Sequence, residues 1–215
     1  MDDRLRKFNE MLVEKNRVVN LTAHKTAEDS WHKNIEDSLL FAAEFEKLDD
    51  CRVADIGSGG GLPAVPLAIT CPHLNITMID SVGKKVDFLN EVIAKLNIKN
   101  AAAVHTRVED FACAHRETFD IVTAKAVAEL PTLLEYALPL LAVGGRLYAW
   151  KGTNYQTEID SSARALKMLG GRVERVESAK LDDETTRHLV IIKKMEKTDK
   201  KFPRGKNLPR TTPLV

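Results

Sequence analysis

The stretch Val53-Ala54-Asp55-Ile56-Gly57-Ser58-Gly59-Gly60-Gly61-Leu62-Pro63 gathers the residue types of a ligand-binding turn: an apolar run ending on an acid, then glycine at every second position. Side chains at Gly57, Gly59 or Gly61 would block a tight strand-to-helix turn, and glycine enters positive φ without strain. Backbone freed in this way can lie against a nucleotide-like cofactor. Spacing separates the candidate loops. A phosphate-cradling P-loop ends in Gly-Lys-Ser/Thr, whereas Gly61 is followed here by Leu62 and Pro63. A dinucleotide loop, G-x-G-x-x-G, needs its third glycine at position 62, where Leu62 stands. What fits is D-x-G-x-G-x-G on Asp55, Gly57, Gly59 and Gly61. Pro63 suits the first turn of a following helix, where a missing N–H costs little.

This pattern resembles motif I of the Rossmann-like S-adenosylmethionine (SAM) methyltransferases, which implies that Asp55, Gly57, Gly59, Gly61 and Leu62 form a cofactor loop. About twenty residues further on, Ile79-Asp80 ends the next apolar run, and its carboxylate can accept both ribose hydroxyls of an adenosyl group. An acid there can equally cap a helix, with Ser81 sharing the duty. Beyond the third apolar run comes Arg107-Val108-Glu109-Asp110. In SAM enzymes this loop lies against adenine, which makes the Val108 backbone and the Glu109 carboxylate candidates for reading the ring edge.

The elements that must position these residues follow from periodicity. From Cys51 onward, short apolar runs alternate with helical patterns, the signature of a parallel α/β sheet. The strands are expected at 51–56, 75–80, 101–106, 119–125, 145–151, 172–178 and 187–194. Val86, Leu89, Ile93 and Leu96 mark one helix by their 3-4-3 spacing, and others are expected over 130–141 and 159–169, the last closed by Gly170-Gly171. The fold expected is a Rossmann-like α/β domain over residues 48–195, with a seven-stranded mostly parallel sheet. A helical extension over 1–47 precedes it, and a basic tail over 196–215 follows.

The chain has 215 residues, of which 44% are apolar, enough for one sizeable core. Its three cysteines, Cys51, Cys71 and Cys113, form no C-x-x-C pair and suit reduced thiols rather than a disulfide framework. The six histidines show no metal-ligand spacing, so no metal is expected. With no signal-like N-terminus and no apolar run of membrane length, a cytoplasmic protein is expected. Net charge is only +1, but the segment from Lys193 to Arg210 carries eight Lys/Arg against Glu196 and Asp199, making it +6 and the remainder −5. Such a run is either a solvated end or a set of phosphate contacts.

A closer likeness covers residues 18 to 215. Asn20-Leu21-Thr22, Asp37-Ser38-Leu39, the Asp55–Pro63 turn, Asp80-Ser81 with Gly83-Lys84-Lys85, Arg107-Val108-Glu109, Lys125-Ala126-Val127-Ala128, Trp150-Lys151-Gly152, Arg187-His188-Leu189-Val190 and Phe202-Pro203-Arg204 through Pro213-Leu214 occur in one order. In that order and spacing they resemble the bacterial small-subunit rRNA guanine-N7-methyltransferase G family, also called glucose-inhibited division protein B. The resemblance implies SAM-dependent methylation of guanine N7 in the 530 loop of 16S rRNA, on naked RNA or a small-subunit particle, with a monomer expected. That chemistry needs no general base, because N7 carries a lone pair and loses no proton. Consistently, the Asn/Asp-Pro-Pro-Tyr/Phe loop used to hold exocyclic amines is replaced by Thr123-Ala124-Lys125-Ala126.

Two positions depart from the family. Lys125 stands where arginine is usual, beside cofactor and target; it keeps the charge but loses the planar fork, leaving its role open between SAM and RNA phosphate. Asn34 stands where histidine is frequent, so no role of that histidine is carried over. Lys84, Lys85, Arg204, Lys206 and Arg210 are the candidate RNA contacts, while Trp31 and Trp150 are expected in the core. Two other classes share part of the pattern. A methyltransferase for small molecules or proteins would keep the loop and Asp80 but have no use for the basic tail, and a nicotinamide oxidoreductase is disfavoured by Leu62. A non-catalytic RNA-binding protein retaining the fold is a third possibility.

Overall fold

The computed structural model describes residues 2–215. Its seven strands form one sheet in the order β3-β2-β1-β4-β5-β7-β6. The chain divides into two compact units, one running through Thr106 and one from Arg107 to Val215.

In the first unit, α1 (Asp3–Asn16) starts at Asp2, whose side chain accepts the Arg4 N–H, and buries Leu5, Phe8, Asn9 and Leu12 along one face. Short helical pieces follow: α2 (Ala27–Ser30), capped by Thr26, a π-helical turn (Trp31–Glu36), α3 (Asp37–Leu39) and α4 (Ala42–Glu46). Then come β1 (Cys51–Ile56), α5 (Ala64–Thr70), β2 (Leu74–Asp80), α6 (Gly83–Lys95) and β3 (Ala101–His105). The strands are parallel, with Val53 beside Ile76 and Asp80 beside His105. Because helices cover such sheets on both faces, Val53, Ala54, Asp55 and Ile56 are all buried, a run rather than an alternation.

The second unit holds α7 (Val108–Ala114), β4 (Phe119–Lys125), α8 (Leu130–Ala137), β5 (Leu141–Lys151), α9 (Tyr155–Asp160), α10 (Ala163–Leu169), β6 (Gly171–Lys180), β7 (Thr186–Lys194) and α11 (Leu208–Thr211). β4 and β5 are parallel, and β7 runs antiparallel to both β5 and β6. The sheet is therefore mostly parallel with an antiparallel hairpin at one edge, and the fold class is as the sequence indicates.

Several boundaries differ from expectation. β5 begins at Leu141 rather than 145, because Phe119 pairs with Leu141 before the register shifts to Ile121 beside Arg146. α8 stops at Ala137, ahead of Pro139, which cannot supply the N–H a helix needs. The helix expected over 159–169 is two, interrupted at Ser161 and Ser162, whose hydroxyls both donate to the Glu158 carbonyl. Gly170 does close α10 in the left-handed region at φ 77°, where a Cβ would lie 2.7 Å from the Glu196 carbonyl oxygen. Among the described residues no helix is long and apolar enough to cross a membrane.

The tail is not a solvated end. Phe202, Pro203, Pro209 and Leu214 are buried, and Arg116 donates to the carbonyls of Phe202 at 2.5 Å and Thr198 at 2.7 Å. Beneath it, Lys194 is completely buried, donating to the Leu138 carbonyl and, at 2.5 Å, to the Thr198 hydroxyl.

Candidate functional site

At the carboxyl end of β1 the chain turns at once through the glycines into α5. Gly57, Gly59 and Gly61 have φ of 65°, 55° and 87°, a region that costs other L-residues about 1–2 kcal/mol each. Their surroundings differ. A Cβ on Gly60 would lie 2.9 Å from Leu12 Cδ1 and 3.4 Å from Leu21 Cβ, and one on Gly61 would lie 2.7 Å from Val65 Cγ2 and 2.9 Å from Leu89 Cδ2. A Cβ on Gly59 would meet only the Gly57 carbonyl oxygen, at 3.8 Å. Gly60 and Gly61 are thus demanded by the protein's own packing. Gly59 is demanded by backbone conformation and borders space that a ligand can fill.

Hydrogen bonds lock this loop to β2. The Ser58 N–H donates to the Ile79 carbonyl at 3.1 Å, the Ile79 N–H returns to Ser58 Oγ at 3.1 Å, and Ser58 Oγ donates to the Asp55 carbonyl at 2.9 Å. The Gly59 N–H donates to Asp80 Oδ2 at 2.8 Å, while Asp80 Oδ1 accepts the Val82 N–H at 2.9 Å where α6 begins. Asp80 therefore steadies the glycine loop and starts the helix at the same time. Each of its oxygens keeps acceptor capacity for a hydroxyl. Asp55 is buried, Leu62 half-buried, Lys84 exposed and Lys85 half-buried in the first turn of α6.

In the second unit, Val108 opens α7, and the buried Glu109 accepts Arg107 Nη2 at 2.9 Å. That bond raises the Arg107 guanidinium further. Burial, with Glu109 adding to it, pushes the Tyr136 hydroxyl up from its ordinary value. Lys125 ends β4, partly exposed, beside Trp150 in the ladder. The loop after it is held at several points. Ala126 occupies the left-handed region at φ 57°, and the Val127 carbonyl accepts Arg210 Nη2 at 3.1 Å. The Ala128 carbonyl accepts Lys151 Nζ at 2.9 Å, and Lys151 pairs with Glu158 at 2.6 Å. Glu158 also accepts the Leu130 N–H at 2.7 Å, so it fixes the start of α8.

The tail cations are the main revision. Arg204 grips the fully buried Glu135 through its Nε at 2.9 Å and Nη2 at 2.7 Å, and Nη2 also donates to the Thr212 carbonyl at 2.8 Å. Its guanidinium is raised by that bond, and Nε and Nη2 hold the docked tail. Arg210 is exposed and donates Nη2 to the Val127 carbonyl at 3.1 Å. Of the three tail positions read as RNA contacts, Lys206 and Arg210 are exposed and Arg204 is half-buried. Trp150 lies in the core at 5% exposure, whereas Trp31 is only half-buried and donates its indole N–H to Glu36 at 3.0 Å.

The profile of the GidB family, described as rRNA small subunit methyltransferase G, matches residues 1–190. The chain belongs to the GidB family. Among curated GidB relatives, the ribosomal RNA small subunit methyltransferase G of Bacillus licheniformis is 38% identical over 212 residues, covering 96% of this chain and 88% of that one. That of Syntrophomonas wolfei is 39% identical over 215 residues, covering both chains completely. Solved structures share the fold at lower identity. A SAM dependent methyltransferase from Aquifex aeolicus superposes with a TM-score of 0.56 at 16% identity, covering 76% of this chain and 92% of that one. M. jannaschii TYW2 in complex with AdoMet superposes with a TM-score of 0.57 at 16% identity, covering 75% of this chain and 76% of that one. This GidB chain is accordingly a methyltransferase of the rRNA small-subunit class on a Rossmann-like fold.

Some residues that hold the loops of each unit are not legible in the sequence. Ser58 carries no assigned role in the motif, although a small hydroxyl residue in a strand-to-helix turn is a usual backbone tie. Lys151 and Glu158 were legible only as a Trp-Lys-Gly tripeptide and a helical acid; nothing in the chain links them to Ala128. Among the described residues no group of three or more His, Cys, Asp or Glu is arranged to hold a metal ion.

Proposed function

We propose that this protein transfers the methyl group of SAM to N7 of a guanine in the 530 loop of 16S rRNA. The observation that carries the cofactor assignment is Gly59: positive φ, an open Cβ side, and an N–H held by Asp80. Those residues fit an adenosyl ligand, since a Cβ at Gly59 would intrude on open space and Asp80 retains acceptor capacity for ribose hydroxyls. Val108 and Glu109 are assigned to the adenine edge. Bound there, SAM supplies an electrophilic methyl on a sulfonium centre.

The acceptor assignment rests on family membership and on the chemistry at the end of β4. Guanine N7 loses no proton, so the residues near the transfer need only orient the base and exclude water, a positioning task worth many orders of magnitude when geometry is right. Lys125, at the end of β4 before the loop held by Arg210 and Lys151, supplies a positive charge there for phosphate or cofactor carboxylate. Lys84, Lys85 and Lys206 are assigned to RNA phosphates. The deciding experiment is labelled-methyl transfer from SAM to 16S rRNA or to small-subunit particles lacking the modification, with the methylated atom mapped. Label on N7 of a 530-loop guanine is expected; label on an exocyclic amine, a ribose or protein overturns the assignment.

A further inference from the structure

We infer that Asn34 is a positioning residue for the glycine loop, acting through Thr22 and Leu21, so that the N-terminal helices set the affinity of the cofactor site. The inference rests on reading that loop as the SAM site. Its first support is contact. The face of Gly60 that carries no side chain is filled by the extension, with Leu12 Cδ1 2.9 Å, Leu21 Cβ 3.4 Å and the Leu21 carbonyl oxygen 3.5 Å from where a Cβ would stand. Phe8 of α1 comes within 3.5 Å of the same point on Gly61. The loop is therefore roofed by α1 and by the segment around Leu21. A shift of that segment moves the wall behind Gly60, one residue along the backbone from Gly59.

The second support is the network that fixes Leu21. Asn16 Oδ1 accepts the N–H groups of Leu21 at 2.9 Å and Thr22 at 3.0 Å, and Asn16 Nδ2 donates to the carbonyls of Thr22 at 2.8 Å and His24 at 3.2 Å. Thr22 Oγ1 donates to Asn34 Oδ1 at 3.1 Å, and Asn34 Nδ2 donates to Ser30 Oγ at 3.0 Å. Ser30 Oγ donates to Asn9 Oδ1 at 2.7 Å, and Asn9 Nδ2 to the Ala27 carbonyl at 2.8 Å, which returns the chain of bonds to α1. Asn9, Ser30 and Asn34 are each at most 4% exposed. A buried network of this kind rigidifies when complete and is costly when one member is missing. Asn34 is its hub, within the π-helical turn, a geometry that often marks functional positions. Its side chain uses one acceptor and one donor, and its loss leaves the Thr22 hydroxyl without its acceptor and the Ser30 oxygen without the N–H donated to it.

The test compares Asn34→Ala, the milder Thr22→Val, and Asn34→His, whose neutral ring also offers one acceptor and one donor. Calorimetric SAM affinity, the separate KM values for SAM and RNA, kcat, and amide exchange at Gly59 and Gly61 are measured on each full-length protein. Asn34→Ala is expected to weaken SAM binding about tenfold, less than the roughly hundredfold cost that a full 1 Å misplacement can carry. RNA KM and kcat at saturating SAM should stay near wild type, and exchange at the two glycines should quicken. Thr22→Val should follow in the same direction, and Asn34→His should keep affinity near wild type. Wild-type SAM affinity and unchanged glycine exchange in folded Asn34→Ala or Thr22→Val protein overturn the inference, even if stability falls. Should the wild type bind no SAM while the variants still quicken exchange, the cofactor reading fails and the positioning role stands.

Discussion

At the scale of single residues, the glycine turn separates what a cofactor demands from what the protein demands of itself. Gly61→Ala drives a methyl into Val65 and Leu89, so it should destabilise by about 2–4 kcal/mol through overpacking and positive φ together. Gly59→Ala meets open space and should cost only about 1–2 kcal/mol of stability, from φ alone. Its SAM affinity, by contrast, should collapse. Urea unfolding paired with calorimetry on the two variants checks the contrast, and equal stability losses would contradict the division of roles. Lys194 offers a second residue-scale outcome. Complete burial holds its amine at about 8, below the ordinary 10.5, although the Glu117 carboxylate 4.0 Å away opposes the shift. Between those values the unfolded chain binds more protons than the fold, so this group's contribution to stability grows as pH rises from about 8 to 10.5 and is lost as pH falls through 8. Measured against Lys194→Met, whose stability lacks this component, the wild type should gain through that window.

At the scale of elements, the tail behaves as a strap that docks on α8. Glu135 is wholly buried and has its bidentate partner in Arg204, across 69 residues of sequence. Removing one member of a buried pair strands the other, typically at about 3–5 kcal/mol. Arg204→Met should therefore lower the urea midpoint strongly and expose residues after 196 to limited proteolysis, whereas the double variant Arg204→Met/Glu135→Leu should recover much of the loss. If the single variant were as stable as wild type but bound RNA more weakly, the phosphate-contact reading of Arg204 would return. The same strap brings Arg210 to the Val127 carbonyl, next to the strained Ala126 and two residues from Lys125. Two elements distant in sequence thus meet where the transfer chemistry is assigned.

At the scale of the whole molecule, a net charge of +1 conceals cations of different standing. Arg204 is paired with buried Glu135 and the exposed Arg210 donates to the Val127 carbonyl, while Lys84 and Lys206 are exposed and Lys85 half-buried. RNA affinity should accordingly fall with salt, and charge removal at Lys84, Lys85 or Lys206 should each reduce the slope of log K against log salt by about 1. Arg210→Gln should leave that slope unaltered while lowering turnover, since its role is to hold the loop. Filter binding across a salt series separates the two groups.

What the sequence determined by itself was local and periodic. Alternating apolar runs specified the strands to within a few residues, because a parallel strand buried on both faces must be a short continuous apolar run. The spacing from Asp55 to Gly61, and on to Asp80, specified the loop, because backbone at positive φ tolerates little but glycine. Tertiary structure decided which glycine serves which neighbour, since a Cβ clash depends on Leu12, Leu21, Val65 and Leu89 arriving from other elements. It also decided that the basic tail is a strap docked through Phe202, Pro203, Pro209 and Leu214. A run of lysines and arginines reads alike whether its partners are water, phosphate or a carboxylate, and only packing brought Glu135 beneath Arg204 and drew Lys194 out of water. Charge is written in the chain, but the partner that gives it meaning is set by the fold.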